Sequence, residues 1–235
     1  MRKEEFLKSI DSKILKDSVI QEVYSKEHLN KEIIKNHTFS TGTTTVGITC
    51  KDVVILGTDK RATMAYFIAS KTAEKLHKIQ EHLWMTIAGS VADAQYLVEV
   101  LRAETYIYQL EKQRPIPVKT AGRMLANILY RYKLFPFQVG LILGGVTEEE
   151  GPTILDIGAY GSILPEKYVA VGSGQNFSYG VLEAKYKDDL TSEQGKEIVK
   201  IAVTSSIIRD MASGNGIDIA VIKKEGPAER EFIPI

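Results

Sequence analysis

Strands and helices come in blocks along this chain, and that order constrains the fold more than any other feature. Residues 43–90 read as two hairpins, one turning at Lys51-Asp52, the other running from Lys71 through Lys75-Leu76 to Met85–Ser90. A long helix starts at Ser90, with Leu97, Val98, Val100, Leu101 and Tyr108 on its apolar side. Pro115 and Pro117 end it. Pro117 stands near the first turn of a second helix through Met124, Leu125, Ile128 and Leu129, which stops at Phe135-Pro136-Phe137. Strands return over Gln138–Val146, Thr153–Ile157 and Tyr168–Val171, and another helix spans Phe177–Tyr186. Thr191-Ser192-Glu193-Gln194 is a capping box that opens a helix through Ile198, Ile201, Ala202 and Ile207. The last clear strand is Ile217–Ile222. A doubly wound parallel sheet would alternate strand and helix one by one, so the blocks argue against it. They suit two stacked sheets with helices on both outer faces, although pattern alone establishes only a mixed α and β class.

A chain of 235 residues, 44% hydrophobic and 26% charged, can bury one sizeable core. Lys+Arg and Asp+Glu number 30 each, so no basic groove for nucleic acid and no membrane-surface patch is expected. The single cysteine, Cys50, cannot form an internal disulfide. It reads as a small core residue in a reducing cytoplasm. No apolar run approaches the roughly 20 residues a bilayer requires. The four histidines lack paired metal spacing, so neither a metal nor a cofactor is expected. Residues 1–42 differ in composition. Met1–Lys35 is dense in Lys, Glu, Ile and Leu, with Phe6, Ile10, Ile14 and Leu15 at near-helical spacing, and Glu4, Glu5 and Asp11 exclude a signal peptide.

The first strand opens on three threonines, Thr43-Thr44-Thr45, directly after Gly42. Threonine fits a pleated strand, so these residues need do no more than start one. Their context is richer. Gly42-Thr43-Thr44-Thr45-Val46-Gly47, Gly57-Thr58-Asp59-Lys60-Arg61, Lys75-Leu76 and Ile87-Ala88-Gly89 occur in order. In that order they resemble the catalytic β subunit of the archaeal proteasome, and the resemblance runs from about Gly42 to about Lys223. It implies the four-layer αββα sandwich of N-terminal nucleophile hydrolases, an α+β class, with residues 1–42 a propeptide and 43–235 the catalytic domain.

A threonine hydroxyl is a poor nucleophile until a base takes its proton. Were Thr43 the first residue, its α-amine, with a reference pKa of about 8, could be that base, and a nearby lysine cation would favour its neutral form. The resemblance implies that Lys75 is the lysine, that Asp59 holds it, and that the Gly89 N–H receives the oxyanion. It also implies support around Thr43 from Ser173, Asp210 and Ser213. Taken singly, Asp59 suits a solvated loop, Lys75 a strand surface and Gly89 a turn. Asp210 is less easily dismissed, because a carboxylate at a helix C-terminus opposes the dipole.

By the same resemblance Thr43 attacks the Gly42 carbonyl and releases the leader. Ala62, Ala73, Ile87 and Val91 line the pocket for the residue before the scissile bond, with His77 a candidate to deepen it. Small apolar walls suggest large apolar side chains as substrates. The implied assembly is a heptameric homo-oligomeric β ring stacked on a second, capped by α-subunit rings and fed unfolded polypeptides by an unfoldase ATPase in the cytoplasm. The alternative within that assembly is a non-catalytic structural ring subunit, against which the intact Thr43, Asp59 and Lys75 argue. A simpler bacterial two-ring relative also starts with Thr-Thr, but the long leader and the Ser213–Asp218 ending count against it.

Overall fold

The computed structural model describes residues 42–64 and 66–235. The expected leader helix and residues 1–41 of the expected propeptide lie outside the described residues. Two five-stranded antiparallel sheets form the centre. The first has the order β10-β1-β2-β11-β12, from β1 (Thr44–Thr49), β2 (Val53–Asp59), β10 (Tyr168–Gly172), β11 (Ile217–Lys223) and β12 (Glu229–Ile233). The second has the order β5-β6-β7-β8-β9, from β5 (Leu76–Gln80), β6 (Leu83–Gly89), β7 (Val139–Thr147), β8 (Gly151–Ile157) and β9 (Ile163–Glu166). A small hairpin, β3 (Ala62–Met64) with β4 (Phe67–Ser70), stands apart from both.

Strand alternation divides the apolar residues into three layers. On β2, Val54 and Leu56 face the other sheet and meet Leu76, Ile142, Val146 and Ile154. Val53 and Ile55 face the opposite way, beneath α3 (Gln175–Lys185) and α4 (Ser192–Arg209), where Leu182, Ile198, Val199 and Val203 cover them. Beyond the second sheet, Met85, Leu141, Leu143 and Leu155 pack under α1 (Val91–Lys112) and α2 (Val118–Arg131) through Leu97, Leu101, Leu125 and Leu129. Because the central strands are buried on both faces, β2 and β7 read as unbroken apolar runs. The result is the expected αββα order of layers. Gly47 and Gly144 sit where the sheets meet; a Cβ on Gly144 would stand 2.8 Å from Val54 and 3.1 Å from Leu56.

Local signals account for the helix ends. Ser90 accepts the Asp93 N–H at the start of α1, and Thr191 and Gln194 form the reciprocal capping box of α4. Pro117 is the N-cap of α2, just before its first turn. Cys50 is a buried core residue against the α4 turn at Gly195, and burial raises its thiol to about 11. No helix among the described residues is long and apolar enough to cross a membrane.

Candidate active site

Thr43 immediately precedes β1. Alternation assigns it the side of Gly47, toward the second sheet, while Thr44 shares the α4 side with Val46 and Ile48. Thr43 is buried. Its hydroxyl donates to the Gly42 carbonyl at 2.7 Å, and its amide N–H donates to Ser173 Oγ at 3.1 Å.

Asp59 closes β2 and is fully buried. Its carboxylate accepts four hydrogen bonds. Thr44 N–H (2.9 Å) and Lys75 Nζ (2.7 Å) reach Oδ1, and Arg61 N–H (2.9 Å) and Gly214 N–H (3.0 Å) reach Oδ2. The donors come from β1, the segment before β5, the turn after β2 and the loop after α4, so one carboxylate pins both sheets and that loop. Lys75, also buried, donates to the Arg61 carbonyl as well. Burial pushes its ammonium below the ordinary lysine range of 10.5, while the Asp59 charge and hydrogen bond oppose that shift. Removing the carboxylate from such a pair leaves a buried cation without its counter-ion, which is costly.

A second network runs behind the threonines. Ser173 and Ser213 each donate to Asp210 Oδ2 at 2.6 Å, and Ala212 N–H donates to Oδ1 at 3.2 Å. A hydroxyl has one proton. With its own on Asp210, Ser173 is left to accept the Thr43 N–H, and Ser213 to accept Thr44 Oγ1–H at 2.7 Å. Asp210 itself is the C-cap of α4 with extended backbone, its N–H still bonded to the Ser206 carbonyl. Three donors there offset the unfavourable end of the helix dipole.

Gly89 ends β6 at φ +123°, and a Cβ would lie 2.1 Å from the Gln138 carbonyl oxygen. Glycine is therefore required by its own backbone and by the β7 side, independently of how near a substrate comes. Gly89 and Thr43 both line a cavity of about 380 Å³. Ala62, Ala73, Ile87, Val91 and His77 line it too. Burial holds His77 below its usual range.

All seven residues expected to act in catalysis therefore lie either in the two linked networks or at this cavity. Sequence reading missed Thr44, whose N–H and hydroxyl join the networks, and Glu74, Ser70 and Gln95 in the cavity wall. The period-2 pattern held the signal for Thr44: with Thr43 facing one sheet, Thr44 must face α4. Among the described residues, no cluster of His, Cys, Asp and Glu could hold a metal.

A family model described as "Proteasome subunit" matches residues 39–222. The chain is 44% identical over 184 residues to "Proteasome subunit beta" of Methanothermobacter thermautotrophicus, covering 78% of this chain and 87% of that one. Against "Proteasome subunit beta" of Methanohalophilus mahii it is 46% identical over 186 residues, covering 79% and 88%. "Proteasome subunit beta 2" of Nitrosopumilus maritimus is 41% identical over 185 residues, again covering 79% and 88%.

Proposed function

The chain belongs to the proteasome subunit family, and from that membership we propose that it carries out peptide-bond hydrolysis with Thr43 as the nucleophile. It is a β subunit of the 20S core, a threonine endopeptidase that assembles into rings with α subunits. The observation that carries the assignment to Thr43 is the buried Asp59–Lys75 pair, tied by Thr44 N–H to the residue next to Thr43, at the wall of a cavity that Thr43 also lines. A purely structural subunit has no need of a buried lysine there.

In the mechanism, Thr43 Oγ first attacks the Gly42 carbonyl carbon. The Gly42–Thr43 C–N bond breaks, the proton passes to the departing nitrogen, and an ester forms that water hydrolyses. Residues 1–42 leave as a propeptide, and 43–235 remain as the catalytic domain. The freed α-amine takes the Thr43 hydroxyl proton during attack on a substrate carbonyl, and Lys75 in its charged form favours the neutral amine. Gly89 N–H receives the oxyanion. Ser173, Asp210 and Ser213 orient the amine and hydroxyl. Ala62, Ala73, Ile87 and Val91 shape the pocket for the residue before the scissile bond. Leucine-type peptides are expected to be cleaved at least about tenfold faster than acidic ones, since burying an unpaired carboxylate in such walls is costly. Equal turnover of the two in a fluorogenic assay contradicts the pocket assignment.

Beyond the shared ring assembly, we read the β ring as a heptamer of this chain, stacked on a second and fed unfolded polypeptides by an ATPase in the cytoplasm. The test of the whole is intact mass and N-terminal sequencing after co-assembly with the α partner. A chain beginning at Thr43 supports the mechanism; one still beginning at Met1 in assembled rings leaves Thr43 without its base and favours the structural alternative.

The junction itself has a steric requirement. A Cβ on Gly42 would stand 1.6 Å from Ala212 Cβ, in the loop that holds Asp210 and Ser213. Gly42→Ala is expected to slow leader release by roughly tenfold or more, because relieving the clash shifts the Gly42 carbonyl away from Thr43 Oγ. Adding Ala212→Gly removes the obstructing methyl and is expected to restore most of the rate, as followed by mass spectrometry.

A further inference from the structure

The cavity beside Thr43 has one charged wall residue that the mechanism leaves unused. Glu74 immediately precedes Lys75 and lines the cavity. Its Oε1 accepts Arg230 Nη1 at 3.0 Å, and Arg230 Nη2 reaches Asp218 Oδ2 at 2.9 Å. Asp218 is nearly fully buried and also binds Lys60 Nζ at 2.8 Å, so it fixes where the Arg230 guanidinium sits. Lys60 in turn lies 5.7 Å from the centre of the Phe232 ring. Two carboxylates and two cations thus balance, and the Arg230 guanidinium bridges from the buried acid to Glu74 with one hydrogen bond to each. Arg230 belongs to β12, the edge strand outside the residues that the family model matches.

We propose that Arg230 determines specificity as a positioning residue: it neutralises Glu74 at the cavity wall and thereby keeps the pocket selective for uncharged side chains before the scissile bond. The proposal rests on Thr43 being the nucleophile and this cavity its substrate pocket. Without Arg230, Asp218 keeps Lys60 as its partner, whereas Glu74 loses the only cation that the structure pairs with it among the described residues. A carboxylate left in that wall attracts a basic substrate side chain, whose own charge then takes the place of the guanidinium.

The test compares assembled cores carrying wild-type chain, R230M, or R230M with E74Q. Each is assayed on fluorogenic peptides ending in arginine or leucine, with rates normalised to active sites titrated by a covalent inhibitor. The arginine-to-leucine ratio of kcat/KM is expected to rise roughly fivefold to tenfold in R230M, the scale of one partly exposed ion pair. It is expected to return to the wild-type value in the double variant. A purely structural role would lower both rates together and leave the ratio unchanged, which overturns the proposal. A raised ratio that persists with E74Q also overturns it, because Glu74 would not be the group uncovered. Should R230M not assemble, R230Q keeps an amide donor for Asp218 and carries the same comparison. Cores that form with neither variant assign Arg230 to folding and overturn the specificity role. A wild-type core that retains its leader and cleaves neither peptide removes the premise, and with it the proposal.

Discussion

Thr43→Ala is expected to assemble into rings, keep residues 1–42 attached and hydrolyse peptides at least about 10³-fold more slowly than wild type. The substitution removes the Oγ that donates to the Gly42 carbonyl and leaves the surrounding networks nearly untouched. Asp59 keeps all four donors, because its contact with this segment is the Thr44 amide, not the Thr43 side chain. Ser173 still accepts the amide at position 43. The loss should therefore appear in chemistry and not in assembly. Two companion chains make the result specific. Thr43→Ser keeps a hydroxyl and is expected to retain processing and measurable turnover. Thr43→Ala expressed without residues 1–42 is expected to assemble but remain inactive, which separates the nucleophile's role in maturation from its role toward substrate. Intact mass and fluorogenic turnover measure both. Release of the leader from Thr43→Ala, with no contaminating protease present, would rule out self-cleavage.

Why the sequence carried so much of this site is a matter of strand parity and capping. The hairpin over 43–61 could be read because β1 and β2 combine β-branched residues with a polar turn, and α4 because Thr191 and Gln194 mark its start. Less regular segments were harder. The second expected hairpin was drawn from Lys71, but β5 begins only at Leu76, and Lys71–Lys75 is the connection that carries Lys75 to Asp59. In the stretch before it, β3 and β4 escaped notice because they form an isolated, mostly exposed two-stranded pair with a register shift and no clean alternation. Edge strands β9 and β12 are short and mostly exposed on their faces, so burial leaves little periodic trace in them.

The pairing of Asp59 with Lys75 could not come from pattern at all. Asp59 closes β2 in one sheet and Lys75 immediately precedes β5 in the other, and only the stacking of those sheets brings the two ends together. That stacking was an implication of family resemblance, since blocks of strands and helices say that sheets and helices segregate but not which strand ends converge. The Arg230 link to Glu74 was invisible for the same reason. It depends on the register of an edge strand that the sequence did not mark.

Asp59→Asn and Lys75→Met are expected to abolish activity alike, each by at least about 10²-fold, yet to differ in their effect on stability. The asparagine amide offers one acceptor oxygen where the carboxylate had two. Whichever way it turns, its NH₂ faces a pair of donors, either Thr44 N–H with Lys75 Nζ or Arg61 N–H with Gly214 N–H. A buried cation also loses its counter-ion, so destabilisation of about 3–5 kcal/mol is expected. Lys75→Met leaves Asp59 with three backbone N–H donors, enough to hold a carboxylate, and removes a buried ammonium that burial already disfavours. Its cost to stability is expected to be smaller. The pH dependence gives a sign that separates the two further. Because burial lowers the folded pKa of Lys75, the unfolded chain binds more protons between that value and the ordinary 10.5. Lys75 therefore contributes a rise in stability as pH climbs through this window, and Lys75→Met should lack that rise when denaturant midpoints are compared across alkaline pH. Equal destabilisation by the two substitutions, or an alkaline rise in stability that Lys75→Met retains in full, would contradict this account of the buried pair.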